Sequence, residues 1–315
     1  MTEEKYSGKE NSEVRTTEGA SRSLSALYII LAGVCWGFMG VPVRMLGAEG
    51  LESPDICFVR SFLTFLVMLV GLLCFNRTAL KIRLKDIWCF VGTGALSVAF
   101  FNFCYFKTMT LTSLSVAAVF LYTAPAFVML MSSFLFNEKL TGRKLVALLL
   151  AFFGCVFVSG AIGGAGTLSP AGICCGLGAG FGYALYSIFS RYAINRGYSS
   201  LTISFYTFLF SGLATFFLTD AAGTVTVITG SVSLFLKTVF WVLLVTLLPY
   251  LCYTKGLNGM ENGRASVIAS IEPVVATLVG VLLYKEEMSV WNVLGICLVL
   301  GSILLIYSKG EKNES

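Results

Sequence analysis

Residues 117–138 read AAVFLYTAPAFVMLMSSFLFNE, and residues 265–286 read ASVIASIEPVVATLVGVLLYKE. Both stretches are apolar over most of their length, carry a proline before their middle and end in a glutamate. A helix needs about 20 apolar residues to cross the hydrocarbon core of a bilayer, so each stretch is long enough to span one. Residue 117 aligns with residue 265, a shift of 148, which indicates that one half of the chain repeats the other.

The repeat extends well beyond these two stretches. Between residues 104 and 150 the alignment needs no gap and gives roughly ten identities among about 47 positions. A shift one residue shorter aligns earlier residues, so that Gly33 falls on Gly180 and Arg44 on Arg191. Each half contains five apolar runs, and because five is odd the second half must enter the bilayer from the opposite side. Inverted repeats of this kind are typical of secondary transporters.

The composition predicts an all-α membrane protein with ten transmembrane helices in two inverted five-helix repeats. The chain is 57% hydrophobic and 12% charged, with a mean hydropathy of +0.84, whereas a soluble domain carries about twice that charged fraction. Lipid-facing backbone must pair its hydrogen bonds within its own segment, and the runs lack the alternation of barrel strands, so helices are predicted. The predicted spans are 24–45, 56–75, 86–107, 113–135, 144–162, 171–192, 202–219, 234–254, 264–284 and 290–308.

The basic residues predict the orientation. With the amino terminus in the cytoplasm, the inner side receives 13 Lys and Arg outside the amino-terminal tail and the outer side receives 5, in agreement with the positive-inside rule. We therefore expect an integral protein of the bacterial inner membrane with both termini in the cytoplasm. The predicted organisation is a disordered cytoplasmic tail at 1–23, a first repeat at 24–162, a linker at 163–170, a second repeat at 171–308 and a cytoplasmic tail at 309–315.

Several other functions are disfavoured by residues that the sequence lacks. It has no histidine, no CxxC pair and no phosphate-binding loop, so we expect no metal, no cofactor and no catalytic residues. The net charge of +5 follows from the topology and gives no case for a nucleic-acid partner. Glycine pairs such as Gly33 with Gly37 and Gly176 with Gly180 share a helical face, and they predict close helix packing rather than a dinucleotide site.

Three segments resemble motifs of the EamA-type drug/metabolite transporters. Residues 51–63, LESPDICFVRSFL, are similar to the start of that family's second helix, with a Ser-Pro pair followed by Arg60. Residues 121–140 and 271–288 are similar to its fourth and ninth helices, each with a proline and a terminal glutamate. The resemblance covers nearly all of 24–308. It implies a ten-helix, two-repeat carrier whose central cavity is lined by helices 1–4 and 6–9.

The chain departs from the family pattern at two points. The family often has a glycine before the terminal glutamate, where this chain has Asn137 and Lys285. Ala124 in the first half aligns with Glu272 in the second, so the two halves are not chemically equivalent.

Glu272 is the leading candidate for substrate binding or proton coupling. Of 17 acidic residues, it alone lies near the middle of a predicted span, where a charge costs about 2.5 kcal/mol or more. Pro273 follows it, and Pro125 takes the same place in the first half; each proline leaves a backbone carbonyl unpaired and kinks its helix. Transporters place their sites at such interruptions. The alternatives are that Glu272 only binds the loosened backbone and that the prolines serve helix packing.

Polar and aromatic residues near Glu272 are further candidates for the cavity, because aromatic walls with a few placed polar groups make a small-molecule pocket. Arg60, about two turns into helix 2, is a candidate for an anionic or zwitterionic substrate. Arg44 and Lys107 would either attract substrate or reach to headgroups, and Glu138 and Glu286 are expected to organise the turns into the following helices. Each of the remaining candidates could instead pack helices: Trp36, Asn102, Tyr122, Tyr183, Ser187, Tyr250 and Ser270.

These features predict a secondary transporter that moves a small polar organic metabolite, an amino acid or a related compound, by alternating access. Export is the expected direction, and protons are the candidate coupling ion. An uptake permease, a nucleotide-sugar-type exchanger of the same superfamily and a non-transporting membrane scaffold are the alternatives. The spans contain no nucleophile with a base, so an enzyme is not expected. The expected partners are a small-molecule substrate and the lipid bilayer, and a homodimer is left open.

Overall fold

The computed structural model describes residues 23–161 and 169–307, and every regular element within them is helical. The predicted tails and linker lie outside these residues, except at positions 23, 169 and 170. The first half contains α1 (23–37), α2 (Gly40–Ala48), α3 (Ser53–Phe75), α4 (Ile87–Val91), α5 (Phe100–Leu111), α6 (Leu114–Leu121), α7 (Ala124–Phe136) and α8 (Gly142–Val158). The second half contains α9 (Pro170–Asn195), α10 (Ser200–Phe216), α11 (Ala221–Thr229), α12 (Val232–Val242), α13 (Leu248–Leu257), α14 (Asn262–Ala269), α15 (Ile271–Tyr284) and α16 (Val290–Tyr307).

Side chains with an oxygen start many of these helices. Such a side chain accepts a hydrogen bond from a free N–H group of the first turn, which stabilises the helix by about 1 kcal/mol. A reciprocal pair caps α3: the Glu52 side chain accepts from the backbone N–H of Asp55, and the Asp55 side chain accepts from the backbone N–H of Glu52. The residues that cap in this way are Ser113, Thr141, Ser169, Ser199, Asp220 and Ser231.

Eight helical segments of the described residues are long and apolar enough to cross a membrane: Ser23–Ala48, Ser53–Phe75, Leu84–Leu111, Ser115–Phe136, Pro170–Asn195, Val232–Leu257, Asn262–Tyr284 and Val290–Tyr307. The predicted spans at 144–162 and 202–219 correspond to α8 and α10, which have 17 residues each. After α10 the chain bends by 113° into α11, and the two together would make a ninth span. Length and composition thus support eight or nine spans, and the count of ten stays a prediction.

Backbone irregularities recur at the spacing of the sequence repeat. The interruption between α6 and α7 lies 148 residues before the interruption at Ser270 between α14 and α15. Asn137 and Lys285, also 148 apart, both end their helix in the left-handed conformation with φ 56°. A π-helical segment at Gly92–Ala99 joins α4 to α5, and a second at Leu243–Leu247 joins α12 to α13; the two end 148 residues apart. Local structure therefore repeats along with the sequence.

The α14–α15 pair connects two distant parts of the molecule. At its start, the N–H groups of Asn262 and Gly263 donate to the two carboxylate oxygens of Glu138, at 2.8 and 3.1 Å. Just past its end, Glu286 accepts from Arg44 at 2.5 Å. A span of 23 residues is about 34 Å long, so the repeat-related Glu138 and Glu286 lie at opposite ends of the bundle.

Glycines bring the first helix of each half onto the interruption in the other half. A Cβ on Gly33 in α1 would lie 3.2 Å from the Ala269 carbonyl oxygen and would overlap Ile271. A Cβ on Gly180 in α9 would lie 2.7 Å from the Phe120 carbonyl oxygen and would overlap Thr123. Small residues permit this approach of two backbones inside a membrane. The prediction of close helix packing at these glycines is confirmed.

Candidate functional site

Glu272 lies in the first turn of α15, directly after the interruption at Ser270. The Tyr183 hydroxyl on α9 donates to its Oε2 atom at 3.2 Å. The unpaired N–H groups at the start of a helix carry partial positive charge, which favours a carboxylate in the first turn. Glu272 and Tyr183 are both partly exposed. The carboxylate therefore has one hydrogen-bond partner, the Tyr183 hydroxyl, in the described part of the chain, and it remains accessible to a second partner.

An aromatic cluster surrounds the Tyr183 side of this carboxylate. The indole of Trp36 on α1 lies edge-on to Tyr183, with ring centroids 6.2 Å apart, and to Tyr250 on α13 at 5.4 Å. Tyr253, one turn along α13, is also 5.4 Å from Trp36. Tyr186 packs against Tyr250 at 4.9 Å. Edge-to-face contacts are a favoured arrangement of aromatic rings, and these side chains of α1, α9 and α13 together form one aromatic wall.

Two hydroxyl pairs that include tyrosines of this wall join α9 to α13. Ser187 and Tyr253 share a hydrogen bond of 2.8 Å, and Tyr186 and Thr254 share one of 2.7 Å. Sequence reasoning singled out Ser187 but missed Tyr186 and Tyr253. A signal was present for both: Tyr253 aligns with Tyr105 in the repeat, and Tyr186 lies one turn from Tyr183. Buried Ser187 is thereby engaged with protein rather than free for a ligand.

Arg60 on α3 supplies the positive charge of this region. Its Nε–H donates to the Thr246 hydroxyl at 3.1 Å, in the π-helical segment before α13. This is the one hydrogen bond that its side chain makes to a described residue. The guanidinium acts electrostatically on the Glu272 carboxylate, yet among the described residues the two groups form no ion pair within 4 Å. Thr246 lies one turn before Tyr250, whose ring contacts Trp36 as Tyr183 does, so Arg60 and Glu272 lie on helices joined by one aromatic cluster.

Of the predicted site residues within the described part of the chain, Tyr183 alone hydrogen-bonds to Glu272, and Asn102, Ser270 and Tyr122 are among those that do not. The Asn102 amide donates to the Val98 carbonyl of its own helix at 2.6 Å. The buried Ser270 hydroxyl donates to the Ser266 carbonyl at 3.4 Å. Tyr122 is partly buried in the turn between α6 and α7. Asn102 and Ser270 thus each use one donor on the backbone of the preceding turn.

The two prolines lie in the first turns after the interruptions. Pro125 is within the first two residues of α7, and Pro273 is the third residue of α15. A proline in the first turn removes a donor that needs no partner within its own helix, but it also removes the N–H that would reach the carbonyl four residues earlier in the preceding helix. Thr123, between α6 and α7, donates to the Phe120 carbonyl from its backbone N–H at 3.1 Å and from its hydroxyl at 2.6 Å.

The two terminal glutamates make different contacts. Each was expected to organise the turn into its following helix. That expectation is wrong for the Glu138 carboxylate, which binds the start of α14 in the other half. Glu286 binds Arg44, whose guanidinium also lies 4.0 Å above the Tyr284 ring. Arg44 is thus paired with a side chain of the protein at the end of the α14–α15 span. Lys107 is exposed.

Interrupted apolar spans with a carboxylate at the break define a polytopic α-helical membrane protein of the carrier class. The sequence profile of the EamA-like transporter family matches residues 23–160 and, a second time, residues 170–308. The chain belongs to the EamA-like transporter family. The resemblance stated from its motifs is thereby confirmed, and the protein is an integral membrane transporter.

Similar proteins extend over almost the whole chain. An uncharacterized transporter of Clostridium kluyveri is 24% identical over 296 residues, which covers 91% of this chain and 94% of that protein. An uncharacterized transporter of Archaeoglobus fulgidus is 27% identical over 290 residues, covering 89% and 94%. The uncharacterized transporter YetK of Bacillus subtilis is 25% identical over 310 residues, covering 96% and 91%. One crystal structure superposes with a TM-score of 0.71 at 19% identity, covering 90% and 96%, and supports the fold alone.

Proposed function

We propose that this transporter exports a small zwitterionic metabolite, an amino acid or a close relative, by alternating access between two inverted five-helix repeats with ten membrane spans. One observation carries the proposal: Glu272 bonds to Tyr183, and Arg60 bonds to Thr246 one turn before Tyr250, so two opposite charges that form no ion pair in the described part of the chain lie beside rings that both contact Trp36. A zwitterion would place its amine at Glu272 and its carboxylate at Arg60. Its side chain would pack on the aromatic rings.

The inverted arrangement is supported by the positions of residues that the repeat relates. Glu138 and Glu286 align with each other and lie at opposite ends of the α14–α15 span. Gly33 and Gly180 also align, and each packs on the interruption of the other half. This reciprocal placement of aligned residues is expected when two copies of one fold enter a bilayer from opposite sides. Two α-helical repeats packed in this way can rock about the interruptions.

Proton-driven export is supported by the placement of the charges in different halves. Glu272 belongs to the second half and aligns with Ala124, and Arg60 belongs to the first half and aligns with Thr207. A single carboxylate can bind either a proton or the amine of a substrate. We propose that the two compete, so that protons entering the cell displace substrate on its way out. Cytoplasmic termini and location in the inner membrane are part of the proposal and rest on the basic-residue asymmetry.

The test is counterflow in liposomes that contain the purified transporter and are loaded with unlabelled amino acids. Labelled amino acids, their decarboxylated amines and their deaminated acids are offered in turn. Wild type should take the zwitterion. Glu272→Gln should lose about ten- to a hundredfold in apparent affinity for compounds with an amine, and Arg60→Gln should lose as much for compounds with a carboxylate.

The matched control is Glu49→Gln, which neutralises an exposed acid near the end of α2. It should transport like wild type. If each site variant lost affinity for amines and acids equally, the two-point binding of a zwitterion would be rejected. Uptake driven by an inward proton gradient would reject export.

A further inference from the structure

The two ends of the α14–α15 span differ in how tightly they are closed. At the Glu138 end, every residue of α14 except Arg264 is buried. At the other end, the corresponding helix is α6, and among its residues 115–121 only Ala117 and Leu121 are buried. We call the contacts of Glu138 the closed end and those of Glu286 the open end.

Hydrogen bonds of Glu138, Arg191 and Ser132 fasten the closed end, and those of Glu138 and Ser132 join the two halves. Both Glu138 oxygens accept from the N–H groups at the start of α14. Arg191 on α9 donates from Nε to the Asn262 side-chain oxygen at 2.9 Å and from a terminal nitrogen to the Met260 carbonyl. The Asn262 amide nitrogen donates to the Ser132 hydroxyl at 3.2 Å. Asn262 is fully buried at the centre of this network.

The open end contains the repeat-related charged residues in a different arrangement. Glu286 aligns with Glu138, and Arg44 aligns with Arg191. Glu286 and Arg44 form an ion pair with each other, and their side chains are 49% and 53% exposed respectively. A Cβ on Gly280 would overlap Glu286 Oε2, so the carboxylate is folded back over its own helix. It makes no hydrogen bond to the N–H of Ser115, the described residue that aligns with Gly263.

We propose that Glu138 and Glu286 are alternate locks, each of which caps the start of the interrupted helix in the other half during one end state of transport. In the structure the Glu138 lock is made. In the opposite state Glu138 releases α14, and Glu286 turns from Arg44 to the N–H groups at the start of α6. Arg44, freed from Glu286, then donates to the carbonyl of Thr112, which aligns with Met260.

The two locks are unequal, and the inequality sets the resting state. Asn262 and Ser132 align with Leu114 and Gly280, so the side-chain bonds around Asn262 have no counterpart at the open end. The closed end therefore gains hydrogen bonds that the open end is unable to form. Without substrate the transporter should rest with the Glu138 lock made, which under the predicted topology is open to the outside.

Amide hydrogen exchange of the full-length protein in lipid nanodiscs measures the locks without a substrate. The reporters are the amides of Asn262 and Gly263 and those of Leu114 and Ser115. In Glu138→Ala, we expect the first pair to exchange at least about tenfold faster than in wild type. The second pair should exchange more slowly, because the population moves to the state in which Glu286 caps α6.

The comparison variants separate a lock from an ordinary helix cap. Glu286→Ala should leave the first pair as slow as in wild type while flux falls, and Glu287→Ala, which removes the neighbouring exposed acid, should change neither. Glu138→Gln, which keeps one acceptor oxygen, should give a smaller shift in the same direction and serves if the alanine variant does not fold. Faster exchange at Asn262 without slower exchange at Ser115 would overturn the proposal.

This inference rests on the proposed function only in requiring two end states. Reciprocal exchange together with no amino-acid flux would reject the proposed substrate and uphold the locks. Amino-acid flux together with unchanged exchange in both glutamate variants would uphold the substrate and reject the locks.

Discussion

Gly180→Ala tests whether close helix contact holds the interruption before Pro125 in place. The added Cβ would lie 2.7 Å from the Phe120 carbonyl oxygen. Carbon and oxygen atoms in ordinary contact are about 3.3 Å or more apart, so α9 and the end of α6 must separate by about 0.6 Å. Overpacking costs about 1–3 kcal/mol. Alanine returns at most about 1 kcal/mol through helix propensity, which leaves a net fall of up to about 2 kcal/mol in the free energy of unfolding.

The measurement is reversible unfolding in mixed micelles, followed by circular dichroism at increasing fractions of denaturing detergent. Gly71→Ala is the matched control, since a Cβ on Gly71 in α3 would meet nothing within 4 Å. It should be neutral or stabilising by at most about 1 kcal/mol. If Gly180→Ala proved as stable as Gly71→Ala, the claim that the two backbones require a glycine between them would be refuted.

Three further predictions concern transport and topology. Glu272→Gln should remove the pH dependence of the remaining flux at saturating substrate, because protons no longer compete for the carboxylate; flux that still responds to pH would remove Glu272 from coupling. Pro125→Ala and Pro273→Ala should insert normally but transport several-fold more slowly, since each restores a backbone donor beside an interruption; unchanged flux in both would reduce the prolines to packing residues. Reporter fusions at Ser23 and Lys309 should both read cytoplasmic, and one outside reading would contradict an even number of spans.

Features set by local sequence were predictable. Apolar run length predicted helices, and the described residues are helical throughout their regular elements. The glycine spacing predicted close packing, and Gly33 and Gly180 indeed approach backbone atoms of another helix. These predictions succeeded because they depend on one segment and on the physics of the bilayer.

Features set by contacts between distant helices were not predictable. The periodicity of α7 gave no indication that Glu138 reaches the start of α14, because a helical pattern defines a face and leaves its partner open. Tyr186 and Tyr253 were overlooked for the same reason: their hydroxyl bonds to Thr254 and Ser187 exist only because α9 faces α13. The helix at Ala221–Thr229 was also missed, since nine residues are too few for the span criterion.

The single carboxylate at the interruption limits the energetics of the transporter. Glu272 aligns with Ala124, so the two halves together offer one carboxylate near the middle of the spans rather than two. The proposed one-for-one exchange of substrate for a proton at that carboxylate can sustain, from the pH difference alone, about a tenfold substrate ratio per pH unit, because each unit is worth about 1.4 kcal/mol. Exchange of a neutral zwitterion for a proton also moves one positive charge inward, which adds about 2.3 kcal/mol per 100 mV of membrane potential. A cell could therefore drive this exchange from its voltage even where the pH on both sides is equal.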